Sequence, residues 1–173
     1  MDSDHRLATA YHQAGHAVVG RILRLPCGGA ALAQGRTADV GHAVIVDPWL
    51  AANNWWEVLE KQRPIEAAFR ATIIALMAGR EAELAILGYE FYDRQAERRD
   101  IERMGLYLHR NGGWGRYRSR LNRRAHGLVR RHRPKIERVA KVLNVKGMLT
   151  ADEIDVLVMG APFPLAAVAA ARM

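Results

Sequence analysis

Apolar residues recur every three to four positions over residues 5–24, which is the spacing of one face of an α-helix. Asp4 precedes this stretch as a helix N-cap, and Pro26 follows it as a stop. The stripe consists of Ala10, Ala14, Ala17, Val18, Ile22 and Leu25. We therefore expect a first helix over about residues 5–24, with this stripe turned toward a core.

The pattern changes over residues 27–48, where glycines separate short runs of apolar residues. The runs Ala30–Gln34 and His42–Val46 predict a small β-hairpin or two edge strands. We interpret His42 as a surface histidine, with a contact to substrate as the alternative.

Helical spacing returns after residue 48. Pro48 and Trp49 open a pattern that runs to about Gln62, in which Trp49 could line a cleft. Pro64 then starts a long apolar helix over Ile65–Leu87, which Gly88 ends. We expect this second, more apolar helix to lie in the core.

The second half of the chain predicts further helices. A loop over Tyr89–Ala96 leads into a helix over Glu97–His109, and a basic helix follows over Arg116–Val145. Pro134 should kink or divide the basic helix. Thr150 and Glu153 have the spacing of a capping box for one more helix. The fold class we expect is mainly α with a small β-hairpin or edge sheet.

Composition sets limits on this domain. The 173 residues suffice for one domain, which we place at residues 1–160, with a loosely held tail at 161–173. A single cysteine excludes an intramolecular disulfide and a cysteine-rich metal site. We see neither a signal peptide nor an apolar run of membrane-spanning length, and so expect a cytoplasmic protein without a membrane span.

The net charge of +8 is unevenly distributed. Residues 110–141 contain twelve Lys or Arg and one acid, a local charge of +11 that leaves −3 for the remainder. Such a segment could bind a polyanion, or it could simply be a solvated helix face. The sequence has no nucleic-acid-binding motif, so we do not expect nucleic acid as a partner.

The candidate chemistry lies in the first helix. His12 and His16 are four residues apart, so both imidazoles should leave the same helical face and could bind one Zn²⁺. In the zinc-peptidase motif H-E-x-x-H the residue after the first histidine is a glutamate, the general base, whereas this chain has Gln13. Gly15 is unfavourable inside a helix, which indicates close packing behind the histidines.

The segment Tyr11–Ala17 resembles the Y-H-E-A-G-H-A motif of the FtsH-type zinc peptidase family, with Gln13 as one substitution. Residues 78–84 resemble the A-G-R-x-A-E-E segment of that family, with Leu84 in place of the last glutamate, and similarity continues to about residue 158. The resemblance implies a free-standing, zincin-like peptidase domain without the ATPase module of the family. In thermolysin-like peptidases an edge strand beside the zinc helix pairs with extended substrate, and the strands expected over residues 27–48 could bind polypeptide in that way.

The resemblance implies two further site residues. The family carries its third zinc ligand as an Asp at the start of a helix in an N-D-[IL] context, which Asp100 followed by Ile101 matches. The residues before Asp100 depart from that pattern, so Asp93 is an alternative third ligand. Glu83 is either a surface carboxylate or a group that orients one zinc-binding histidine through its other ring nitrogen.

Gln13 changes the expected chemistry. An amide can hydrogen-bond a zinc-bound water but cannot remove its proton, so hydrolysis should fall by at least about 10²–10⁴. The chain is then a natural pseudo-peptidase or an engineered trap that holds polypeptide uncut. A separate ATPase would be needed to unfold folded substrates. The alternative function is a non-catalytic module that docks a protein or polyanion through residues 110–141.

Overall fold

A computed structural model describes most of the chain. It covers residues 3–25, 27–32, 42–45, 65–90, 95–109 and 111–159. The predicted helix over residues 48–62, the cleft residue Trp49, the alternative ligand Asp93 and the tail at 161–173 lie outside the described residues.

The described residues form six helices and one small sheet. The helices are α1 (Ser3–Ile22), α2 (Ile65–Ala82), α3 (Gln95–Leu108), α4 (Trp114–Arg131), α5 (Arg133–Lys146) and α6 (Ala151–Met159). The strands are β1 (Cys27–Ala31), β2 (His42–Ile45) and β3 (Met148–Leu149). The expectation of a mainly α domain with a small sheet is confirmed.

Helices α1 and α2 form the centre of the core, and α5 packs on α1 while α4 packs on α2. The predicted apolar stripe of α1 is inside, with Ala10, Ala14 and Val18 fully buried. Gly15 permits the close approach of α2, because a β-carbon there would lie 2.5 Å from the carbonyl oxygen of Ala78. The close packing that Gly15 indicated is thus confirmed.

Two helix boundaries confirm the sequence patterns. A π-helical turn, Glu83–Leu87, continues α2 and ends at Gly88, whose φ of 83° is favourable for glycine. The basic helix is divided as expected: α4 ends at Arg131, and Pro134 lies in the first turn of α5, where its missing N–H costs nothing.

The sheet has the order β2-β1-β3, with both pairs antiparallel. Ala30 is opposite Ala43 of β2 and opposite Leu149 of β3. Of the two predicted strands, His42–Val46 matches β2, whereas β1 begins and ends three residues before the predicted run Ala30–Gln34. The two-residue β3 was not predicted. Gly29 allows β3 to approach, since a β-carbon there would lie 2.3 Å from the carbonyl oxygen of Leu149. The sheet lies against α1.

The predicted capping box is present at the start of α6. The backbone N–H of Thr150 donates to Oε2 of Glu153 at 2.8 Å, and the N–H of Glu153 donates to Oγ1 of Thr150 at 3.3 Å. Across the described ranges, no helix is both long and apolar enough to cross a bilayer.

Candidate metal centre

His12 and His16 lie side by side in the interior, where their side chains face α2. The two residues are 1% and 4% exposed, and their ring centroids are 4.5 Å apart with the planes nearly perpendicular. The expectation that both imidazoles leave one face of the first helix is therefore confirmed.

The Nδ1 atom of each histidine has a partner on α2 or on the π-helical turn that follows it. Nδ1 of His12 lies 2.5 Å from Oε1 of Glu83, and Nδ1 of His16 lies 2.8 Å from the carbonyl oxygen of Ala75. A carbonyl or carboxylate oxygen accepts hydrogen bonds, so each Nδ1 carries the proton and donates it. In the neutral imidazole this leaves Nε2 as an acceptor with its lone pair available.

Both Nε2 atoms face the same carboxylate on α3. Oε1 of Glu97 lies 2.9 Å from Nε2 of His12 and 3.4 Å from Nε2 of His16. One ligand atom from each of the three residues lies within 4.8 Å of those of the other two. Burial acts to raise the pKa of Glu97, but hydrogen bonds and charge interactions with His12 and His16 in their protonated state outweigh it and hold the pKa well below its usual range.

When both imidazoles are neutral, three acceptors converge on one point, and they repel one another unless a proton or a metal cation lies among them. Protonating both imidazoles would place two positive charges in rings whose centroids are 4.5 Å apart. A single divalent cation would satisfy all three groups without that repulsion. The donor set of two imidazole nitrogens and one carboxylate oxygen is one that zinc accepts.

Gly79 of α2 forms the floor behind the histidines. A β-carbon at this position would lie 2.5 Å from Cε1 of His16 and 2.7 Å from Nε2 of His12. Every other residue type would therefore displace one ring or separate the two helices. Glycine inside a helix is intrinsically unfavourable, so its place here is explained by the two rings.

Glu97 is held in place by the packing of α3. Ile101 and Met104 are buried in the core, and the ring of Trp114 lies against Gly105, where a β-carbon would meet it at 2.2 Å. The indole Nε1 of Trp114 also donates to Oε2 of Glu102 at 2.6 Å. These contacts fix the position of α3 along its axis and its rotation about that axis. They thereby fix the position of Glu97, which lies in the first turn of α3.

The structure does not bring Asp100 to the histidines. Its side chain is 54% exposed, and Oδ1 lies 3.4 Å from the guanidinium of Arg103. Asp100 lies three residues beyond Glu97, rotated about 60° around the helix and displaced about 4.5 Å along it, and its side chain is shorter. Within the described residues the third group beside the histidines is thus Glu97. This corrects the expectation that Asp100 would occupy that position.

Glu83 lies in the interior beside His12. It is 1% exposed and contacts the ring nitrogen of His12 that faces away from Glu97. It is therefore not a surface carboxylate but a buried group that orients His12 and fixes its tautomer.

A cavity of about 320 Å³ opens beside the three groups. His12, Glu83 and Glu97 lie in its wall together with apolar side chains of α2 and α3, including Met77. Gln13 is buried, at 2% exposed, and is not among the described residues that form this wall.

The described part of the basic segment falls mainly on α4 and α5, and Arg118 of α4 lines the cavity beside the histidines. Most arginines of α4 are exposed, and Arg118 pairs with Glu102 at 2.8 Å. His42 is in β2, at an edge of the sheet among the described residues.

No family model and no curated protein sequence matches this chain.

Proposed function

We propose that His12, His16 and Glu97 bind one zinc ion, and that the domain follows the plan of a zinc metallopeptidase whose general base is replaced by Gln13. The observation that carries the proposal is the convergence of one potential ligand atom each from His12, His16 and Glu97 within 4.8 Å of one another.

The spacing of these atoms suits zinc. Ligands about 2.0–2.2 Å from a tetrahedral ion are roughly 3.3–3.5 Å apart. The two contacts of Glu97, at 2.9 and 3.4 Å, are close to that separation. Three protein ligands would leave the fourth position for water or substrate, as in catalytic rather than structural zinc sites.

A bound zinc would supply a Lewis acid for the scissile carbonyl and a water of lowered pKa. The chain itself positions the ligands: Glu83 and the Ala75 carbonyl fix the imidazole tautomers, and Gly79 allows both rings to lie against α2. Gln13 can donate or accept a hydrogen bond but cannot take a proton, so proton transfer from water to the leaving amine is lost. The domain would then hold an extended polypeptide without cutting it efficiently.

The sheet supports a polypeptide ligand. In the described residues β2 is an edge strand of a sheet that lies against α1, the helix that carries both histidines. An exposed edge binds extended peptide through backbone hydrogen bonds and reads little of its sequence. A separate unfolding ATPase would be the partner that delivers folded substrates.

Zinc stoichiometry tests the proposal. After equilibrium dialysis against zinc, the parent chain should hold about one ion that survives passage over a chelating resin. His16→Ala and Glu97→Gln should lose it, whereas Asp100→Asn, on the same helix and also removing a carboxylate, should keep it. Circular dichroism should show that each variant remains folded.

Two results would contradict the proposal. One is a folded parent chain that retains no zinc. The other is a loss of zinc in Asp100→Asn equal to the loss in Glu97→Gln, which would move the third ligand to the position first expected from the sequence.

A second candidate function is a non-catalytic module that docks a protein or polyanion through residues 110–141. The exposed arginines of α4 favour it, because among the arginines described in that helix only Arg118 has a carboxylate partner within 4.0 Å. Binding of this kind weakens steeply with salt. A gel shift with duplex DNA, repeated across a salt series, tests the polyanion form; absence of a shift at low salt excludes it.

A further inference from the structure

A second cavity, of about 760 Å³, lies where the C-terminal end of α1 meets the first half of α2 and the middle of α4. Its apolar surface includes Ile22, Ile74 and Leu121. Among the described residues, none lines both this cavity and the one beside the histidines. A ligand in the second cavity and a zinc ion at the histidines would therefore contact different side chains.

The charged residues of this cavity are all of one sign. Arg24, Arg70, Arg120 and Arg124 line it, and no acidic residue among those described does so. Arg70 has a partner, because its guanidinium lies 2.8 Å from Oε2 of Glu66. Within the described ranges the other three arginines have no carboxylate within 4.0 Å. Three cations thus surround an apolar cavity without a negative charge to balance them.

Arg24 reaches this position through an unfavourable backbone conformation. Its φ is 57°, which makes it the one non-glycine residue with positive φ among those described. The turn is held by hydrogen bonds from the N–H of Arg24 to the Arg21 carbonyl and from the N–H of Leu25 to the Gly20 carbonyl. Glycine is the usual residue at such a helix end. An arginine there places a long cationic side chain at the cavity instead.

We infer that this cavity binds a small ligand that joins an oxyanion to an apolar body. Guanidinium groups bind phosphate and carboxylate through paired N–H donors, which matches Arg120 and Arg124, one turn apart on α4. The apolar body would lie against Ile74 and Leu121, beside the ring of Tyr117. A volume of about 760 Å³ is within the range of small-molecule sites.

The shape favours a small ligand over a nucleic acid. The arginines come from the turn after α1, from α2 and from α4, and the other described lining residues are apolar apart from the hydroxyl of Tyr117. A duplex would require cations that follow a phosphate backbone across the surface and would leave these apolar residues unused.

Fluorescent probes test the inference directly. Anilinonaphthalene sulfonate joins an anionic group to an aromatic body, and phenylnaphthylamine offers a similar body without the charge. We expect one saturable site for the sulfonate probe and at least about tenfold weaker binding of the neutral probe, since bonds to charged groups are the stronger ones.

The chain offers a matched pair of variants. Arg123 and Arg124 are adjacent exposed arginines of α4, but only Arg124 lines this cavity, whereas Arg123 lines a neighbouring one that shares Tyr117 and Arg120 with it. Arg124→Gln should weaken the sulfonate probe about fivefold to tenfold, and Arg123→Gln should leave it within about twofold. Ala71→Leu, which narrows the cavity without changing charge, should also weaken the probe. Circular dichroism verifies the fold of each variant.

Competition identifies the source of the oxyanion. Displacement of the probe by adenosine monophosphate assigns a phosphate on an aromatic body, and displacement by decanoate assigns a carboxylate on an alkyl chain. Equal losses in Arg123→Gln and Arg124→Gln would overturn the inference, because the probe would then report net charge alone. Displacement by duplex DNA but by neither small anion would overturn it too, in favour of a polyanion surface.

Discussion

Nδ1 of His12 lies 2.5 Å from Oε1 of Glu83, and the two residues are 71 positions apart in the chain. Both are about 1% exposed. The contact joins α1 to the turn that follows α2 and fixes which nitrogen of His12 faces Glu97. The tautomer needed for a metal ligand is therefore set by the core of the domain rather than by solvent.

Replacing this carboxylate should weaken the metal site without removing a ligand. We expect Glu83→Gln to lower zinc affinity about 10–100-fold, the usual effect of losing the carboxylate behind a metal-binding histidine. Competition with a chromophoric chelator measures the affinity. Glu90→Gln is the control, since Glu90 lines the same cavity but pairs with Arg80. An unchanged affinity in Glu83→Gln would show that its contact with His12 plays no part in metal binding.

The close contact between Gly79 and the two histidines leads to a second prediction, which concerns stability. Gly79→Ala should destabilise the fold by about 1–3 kcal/mol, because the new methyl group would overlap both imidazoles, and zinc should be lost with it. Gly127→Ala should instead stabilise it by about 0.5–1 kcal/mol, since that glycine is inside α4 with no atom within 4 Å of an added β-carbon.

Urea unfolding of the two glycine variants, each compared with the parent chain, measures both changes. The two substitutions add the same methyl group to a helical glycine, so intrinsic helix propensity alone would shift both in the same direction. Equal stabilisation by Gly79→Ala would mean that α1 and α2 are further apart than the structure shows.

Local patterns predicted much of this fold. The apolar stripe of α1, the helix end at Gly88, the division near Pro134 and the capping box at Thr150 depend on residues close together in sequence. The two histidines could be predicted as a pair for the same reason, since an offset of four residues on a helix places both side chains on one face. Strand β3 could not be predicted, because two residues carry no periodicity and its pairing depends on the distant Gly29.

The third group of the centre shows where sequence reasoning ends. Asp100 was preferred on a short motif, but the residue that reaches the histidines depends on the rotation and height of α3. Trp114 and Gly105 set these through a contact that no local pattern reveals. Glu97 was one of several acids in that stretch, and only the fold distinguishes it.

The capping box predicts a pH dependence. Burial acts to raise the pKa of Glu153, but its hydrogen bonds with Lys146 and Thr150 prevail and lower the pKa from 4.5. The charge of Glu153 therefore contributes stability above about pH 4.5, and the contribution is lost as pH falls through the lower folded-state pKa.

Glu153→Gln keeps the shape of the cap and removes the charge. At pH 7 we expect it to cost about 0.5–1 kcal/mol of unfolding free energy, a small value because the side chain is partly exposed. The difference from the parent should shrink below pH 4. Asp152→Asn, in the same turn but exposed, is the control for the loss of a negative charge near the helix start. A difference that persists at pH 3 would exclude an ionic origin.

The role of Gln13 can be tested by restoring the missing carboxylate. Glutamate is almost isosteric with glutamine, so Gln13→Glu should fit the buried site with little repacking. If the carboxylate takes the proton of a zinc-bound water, hydrolysis of a labelled unfolded casein should rise at least about 10²-fold above the parent. A chelator should abolish the gain, and so should His16→Ala in the Gln13→Glu background. Gln13→Glu that binds one zinc yet cleaves no faster than the parent would contradict the peptidase proposal while leaving zinc binding intact, because the ligands and the proton acceptor are separate groups.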